Sequence, residues 1–383
     1  MKKAIIILGA GSNQVILYQV LKKEGFILIG VDKNPEAIGF RFCDEKIVAS
    51  THEAGPIIEK LCLLQYRYIF DGVITRSSGP PLIVQAKIAE YFSLISVPLT
   101  AIEICSKKST IVEFATINGV ESPKRYTLDT LKSAPELFPV IIKPDVSILG
   151  KKDVRTVNSF AKLIDIMDNH KIGDIHIEQY IEGEDITCFA CVYDGVVYPI
   201  SFVEEWIGMS SEGDRIGLGL SVRRDSYETI EKATQKIVTA LGLGKGIIVL
   251  DFRLNASIPY LIEMNLDIGG DYCFDYLLPY AGYNNPILHL VSPFLRSPLQ
   301  APVLPRTLHP SLMLYIFSAD EMSDDKFAEL ERNVGKVILV DDNNKIRRGL
   351  VLLSFDRDVL LRIRYFDRIL ARKTGMEIQQ FYG

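Results

Sequence analysis

Over roughly the first hundred residues, hydrophobic positions switch between unbroken runs and helical spacing. AIIILGA (4–10) reads as a buried strand, VILYQVLKKEG (15–25) as a helix stopped by Gly25, and FILIGVD (26–32) as a second strand ending at Asp32. KIVAS, a helix around PIIEKLCLLQ, and the strand YIFDGVIT continue the rhythm. Strands alternating with helices imply a parallel sheet covered on both faces. Prolines at 293, 298, 302, 305 and 310 suggest a boundary. Beyond it the pattern shortens to KVILVDDNN, IRRGLVLLSF and VLLRIRYF, which predict strands of a small α+β lobe.

Composition narrows the classes. At 383 residues there is room for two or three domains, each with a core. A net charge of -5 argues against a general nucleic-acid surface, and the arginines at 347, 348, 362, 364, 368 and 372 are interleaved with acids. No apolar run approaches the ~18 residues a membrane span needs. The opening MKKAIIILGAGS resembles a signal peptide only superficially, because glycines break a short apolar stretch. Six dispersed cysteines predict buried free thiols and a cytoplasmic protein.

GAGSNQ after the first strand, with Asp32 near the spacing of a ribose-binding acid, is a partial dinucleotide fingerprint. Gln14 stands where its third glycine belongs, so a plain turn or a loop touching another substrate is the better reading. The middle of the chain carries more chemistry. SKKSTIVEFATINGVESPKRY predicts a helix ended by Gly119 and then a proline-led strand. FPVIIKP is an apolar strand with one cation, Lys143, which must meet water or an anion. Next comes a basic small-residue turn with Ser147, Gly150, Lys151 and Lys152, able to fold over phosphates. EQYIEGED lies between two strand-like runs, as an acidic turn or an interlobe linker. Finally, GIIVLDFRLNASIPYLIEMNLDIGGDY predicts two strands joined at Asn255–Ser257, with Asp251 on one and Glu263 and Asn265 sharing a face of the other. Such oxygen ligands suit Mg²⁺.

Taken in order, these segments resemble the ATP-grasp superfamily over roughly residues 1–295. The resemblance implies an α/β protein with an N-terminal Rossmann-like pre-ATP-grasp domain (1–105), a two-lobed ATP-grasp nucleotide-binding domain (106–297) and a small C-terminal α+β lobe (298–383). It assigns Lys108, Lys143 and Ser147 to phosphates, Glu178, Gln179, Tyr180 and Ile181 to the adenine hinge, and Asp185, or else Glu184, to ribose. Asp251, Glu263 and Asn265 become the ligands of Mg²⁺, with Mn²⁺ as a substitute. Within the superfamily the chain looks most like carboxylate–amine ligases that join amino acids, whose Glu-x-Asn-x-x-x-Gly-Gly pattern matches IEMNLDIGG.

One position departs from that pattern. Many relatives carry Arg where this chain has Asp267. Arg253, on the face of Asp251, is then the substitute anion clamp and, with Lys143, a catalytic candidate; Arg215 is the next choice. Asp267 becomes a candidate for a substrate ammonium, beside Gly269 and Gly270. The expected reaction is ADP-forming ligation through an acyl phosphate, with small-molecule carboxylate and amine partners, no nucleic acid, no membrane, and a homodimer left open. Carboxylation through carboxyphosphate, a non-catalytic nucleotide-binding module and, on GAGSNQ alone, a nicotinamide enzyme are the rival readings.

Overall fold

The computed structural model describes residues 1–146, 154–169, 175–209, 215–222, 226–269, 272–297, 308–317, 320, 322–340 and 347–370. Strands β1 (Lys2–Leu8), β2 (Ile27–Asp32), β3 (Glu45–Val48) and β4 (Tyr68–Thr75) form a parallel sheet in the order β3-β2-β1-β4. The helix Val15–Lys23 connects β1 to β2 and Ala54–Leu64 connects β3 to β4, while Pro80–Tyr91 follows β4. Ala4 to Leu8 are fully buried, and alternate residues of β1 enter two different hydrophobic clusters. That two-sided burial is why the strand reads as a continuous apolar run.

A second sheet is small and antiparallel: β5 (Val140–Pro144), β6 (Arg155–Val157) and β7 (Ile175–Gln179), in the order β6-β5-β7. Val140, Ile142, Val157 and Ile177 pack with Leu131, Leu163 and Ile166 of the helices Leu128–Ser133 and Phe160–Asn169. Ile141, Lys143, His176 and Glu178 are thereby turned to the opposite face. The stretch after Gly119 forms no regular strand; it contributes a single bridge, Arg125 to Glu178.

The large sheet is antiparallel. It comprises β8 (Glu184–Tyr193), β9 (Val196–Met209), β10 (Arg215–Val222), β11 (Lys245–Asn255), β12 (Ile258–Asn265), β13 (Ser311–Phe317), β14 (Lys336–Leu339) and β15 (Arg347–Ser354). Their order is β12-β11-β8-β9-β10-β13-β15-β14. The last three strands extend this sheet through a β10–β13 ladder, and with the helices Asp324–Asn333 and Val359–Leu370 they also enclose a cluster around Trp206, Leu312, Leu330, Val351 and Phe366. VLLRIRYF is therefore a helix and not the expected strand. Its buried residues Val359, Ile363, Phe366 and Leu370 follow helical spacing, which the short alternation LRIR conceals.

Candidate active site

The hairpin of β11 and β12 turns through Ala256 and Ser257, both with positive φ (44° and 72°). A two-residue turn of this hand matches strand twist and fixes the register. Asp251 consequently lies directly opposite Glu263, and Asn265 opposite Val249. On the next strand Thr187 faces Asp251 and donates its hydroxyl to Oδ1 at 2.7 Å. Asn265 Nδ2 reaches Glu263 Oε1 at 3.5 Å. The Glu263 side chain stays 32% exposed, so this carboxylate opens toward solvent.

Lys108 comes to Glu263 from a third direction. It opens the helix Lys108–Ile117, is 6% exposed, and places Nζ 3.3 Å from Glu263 Oε2. Asp145, just past β5, anchors the start of that helix. Its carbonyl accepts from Lys108 N at 2.9 Å, and its carboxylate accepts from Ser109 N at 2.7 Å and Ser109 Oγ at 2.9 Å. The acid satisfies N–H groups that have no partner within the helix. Asp145 thus joins the segment of the first lysine to the strand of the second.

Lys143 sits on β5 opposite His176, with Nζ 2.6 Å from Glu178 Oε1. His176 Nε2 lies 3.2 Å from the other oxygen of Glu178, and its Nδ1 is buried without a hydrogen-bond partner among the described residues. Burial alone would raise the Glu178 carboxyl, but the Lys143 ammonium and the His176 ring outweigh it and hold it below the ordinary value. The Glu178 side chain is therefore turned to Lys143, while Gln179, Tyr180 and Ile181 continue the linker to β8. Gln179 N donates to Lys124 O at 2.8 Å, and Asn255 Nδ2 to Glu182 O at 2.7 Å. Gly183 has φ +141°, and an added Cβ would lie 2.1 Å from Leu254 O, so the linker crosses β11 only with glycine there.

Three residues given separate roles by sequence meet beside this linker. Asp185 Oδ2 is 2.6 Å from Arg215 Nη2 and 2.5 Å from Arg253 Nη1. Arg253 also donates Nε to Ile181 O at 2.9 Å, with its guanidinium 6.0 Å from the centre of the Tyr180 ring. Arg253 thus grips the linker from the face it shares with Asp251. Ser147, Gly150, Lys151, Lys152 and Gly270 lie outside the described residues.

Asp267 is 4% exposed; Ser78 donates to its Oδ2, and Gly269 N to Oδ1 at 2.7 Å. Arg76, which sequence reading missed, stands beside it with a bidentate pair to Asp275 at 2.8 and 2.9 Å. Its remaining hydrogens go to Gly269 O at 3.2 and 3.1 Å and to Asn13 O at 3.1 Å. The signal was a lone Arg at the end of an apolar strand, YIFDGVITR, which must find a partner if buried. Asp145 and His176 were missed too, since only the folded chain brings them to the lysines.

Asp32 answers a different question. Its two oxygens accept from Ala10 N at 2.8 Å and Asn34 N at 2.9 Å, and Gln14 packs its amide against Gly9. That is the plain-turn reading of GAGSNQ: the acid ties down the loop, and a side chain fills the place a close glycine approach would leave open.

The donor set beside β11 and β12 fits a hard divalent cation. Asp251 and Glu263 supply facing carboxylates and Asn265 an amide oxygen. Among the described residues, no group of three or more His, Cys, Asp or Glu side chains converges in a way that could hold a metal on its own.

Solved structures first define the fold. An L-amino acid ligase from Bacillus licheniformis superposes with a TM-score of 0.71 at 18% identity over 97% of both chains. An N5-carboxyaminoimidazole synthetase from Staphylococcus aureus, complexed with ADP, gives 0.74 at 15% identity, covering 97% of this chain and 98% of its own. The particular family follows from sequence. Residues 105–270 match the ATP-grasp domain family and are an ATP-grasp domain, as the resemblance implied. A phosphoribosylamine–glycine ligase from Listeria monocytogenes is 31% identical over 152 residues, which is 34% of this chain and 36% of the relative. The chain thus matches about a third of the length of that curated relative. No helix among the described residues is long and apolar enough to cross a membrane.

Proposed function

We propose that the chain is an ADP-forming ATP-grasp ligase that activates a small carboxylate as an acyl phosphate and joins it to an amine, on amino acids or similar metabolites. The observation that carries this reading is the facing pair Asp251 and Glu263, with Lys108 on Glu263, inside an ATP-grasp domain. Asp251, Glu263 and Asn265 would hold Mg²⁺, or Mn²⁺ in its place, which would supply charge neutralisation for the transferring phosphate.

The chain's own residues do the rest. Lys143 offers phosphate an ammonium whose one partner among the described residues is Glu178, so two of its three hydrogens are available. Lys108 can leave Glu263 for a phosphate oxygen when a cation takes that carboxylate. Backbone groups of 179–181 receive adenine, and Asp185 receives ribose while Arg253 and Arg215 set its orientation. In this arrangement Arg253 acts chiefly through Asp185 and the linker. Phosphoryl transfer is mostly positioning and charge neutralisation, which these residues supply. The carboxylate oxygen attacks the γ-phosphorus, ADP leaves, and the amine then displaces phosphate from the acyl carbon.

Hydroxylamine tests the reading, since it intercepts an acyl phosphate. Incubated with Mg-ATP and a panel of amino acids and other small acids, the chain should give a hydroxamate and ADP with at least one. AMP in place of ADP, or ADP release stimulated by bicarbonate with no hydroxamate from any acid, overturns it.

A further inference from the structure

The small sheet holds a buried titratable side chain that the proposed chemistry leaves without a role. On β7, Ile175 and Ile177 face the apolar cluster of that lobe, while His176 and Glu178 alternate to the other face, shared with Ile141 and Lys143. His176 is 0% exposed. A carboxylate only accepts, so Nε2, which lies 3.2 Å from Glu178 Oε2, carries a proton. Nδ1 has no hydrogen-bond partner among the described residues, and a polar atom buried in that way costs stability. An aliphatic side chain would fill the place without that cost. What the imidazole supplies is its Nε2–H.

That hydrogen bond changes what Glu178 can do. Its Oε1 lies 2.6 Å from Lys143 Nζ and its Oε2 faces His176, so the carboxylate is tied at both oxygens. The terminal torsion of a glutamate is broad, and one tether would leave the carboxylate plane free to turn. Two tethers fix it, and the Lys143 ammonium with its remaining hydrogens is fixed in turn. Arg125, opposite Glu178 across a backbone bridge, is exposed, so Lys143 is the buried cation that gains.

We infer that His176 is a positioning residue for the nucleotide phosphates: it holds Glu178, and Glu178 aims the Lys143 ammonium. Its service to phosphate rests on the ligase reading; the tether does not.

Substitutions at His176 in the full chain separate this role from packing. A glutamine amide nitrogen sits about as far along the side chain as Nε2, and an asparagine one only as far as Nδ1. His176→Gln should therefore keep the Kd for ATP within about twofold, while His176→Asn and His176→Leu should raise it about tenfold, with circular dichroism unchanged. Beside Lys143→Met, His176→Leu should weaken ATP binding no further, because the group it aims is gone. A second readout needs no nucleotide. Burial pushes the Glu178 carboxyl up, and Lys143 and then His176 hold it down. Losing the His176 hydrogen bond raises the folded pKa, so stability is lost at a higher pH. The acid limb of the Tm–pH profile should accordingly lie higher in His176→Leu than in His176→Gln, neither of which titrates at this position. A Kd raised equally by His176→Gln and His176→Leu, a His176→Leu effect undiminished beside Lys143→Met, or coincident acid limbs overturns the inference. A missing hydroxamate would overturn the ligase reading alone and leave these comparisons as they are.

Discussion

Arg76 and Lys143 are both buried cations held by one carboxylate, yet they differ in what they leave unused. Arg76 spends its hydrogens on Asp275, Gly269 O and Asn13 O. Lys143 has Glu178 as its one partner among the described residues. A filled guanidinium fixes chain segments to one another, whereas an ammonium with spare donors can take an incoming anion without losing the first. The same contrast separates Asp267, whose oxygens are occupied and buried, from Glu263, which stays part-open beside Lys108.

The largest expected effect falls on the open side. Glu263→Gln keeps shape and removes charge, so turnover with Mg-ATP should drop by ~100-fold or more while the thermal transition stays in place. Near-normal ADP release by this variant would remove Glu263 from the proposed metal site. On the filled side the effect is on stability. Arg76→Ala leaves Asp275 buried without its partner and should cost about 3–5 kcal/mol in urea unfolding. Arg76→Met combined with Asp275→Leu should recover most of that; a double variant no better than the single one would mean that Arg76 acts through Gly269 and Asn13 instead.

The contrast sharpens further at Lys143. Lys143→Ala should weaken ATP binding by about tenfold or more and also lower turnover, because a charge-assisted contact to phosphate is lost. Asp185→Ala should weaken binding with little change in the chemical step. Equal and negligible effects in an ATP titration would dissolve the proposed nucleotide site. The smallest effect is with pH. Glu178 has a folded pKa below its ordinary 4.5, so its contribution to stability is whole above that pH and is lost as pH falls through the lower folded value. In Lys143→Met the acid limb of the Tm–pH profile should move upward; an unmoved limb would show that the pair does not hold Glu178 ionised.

How far the chain could be read follows the same division. The β11–β12 hairpin was legible because an acid in an apolar run is costly and a two-residue spacing sets its face. Lys143 was legible for the same reason. Arg76 with Asp275 was not: the partners are 199 residues apart, and neither lies in a pattern that names the other. The hydrogen bond from Ser78 to Asp267 was not legible, because nothing local to either segment announces the other. The alternating N-terminal sheet was plain from its runs, while the helix Val359–Leu370 was hidden by a window too short to separate the two periods.

The β10–β13 ladder bears on how this protein can be handled in pieces. A fragment ending where the family match ends, at residue 270, would lose β13, β14 and β15 and leave the outer side of β10 as an open edge. An exposed edge of that kind recruits other chains, so such a fragment should self-associate on expression. The segment defined by the family match is thus smaller than the piece of this chain that keeps its large sheet whole.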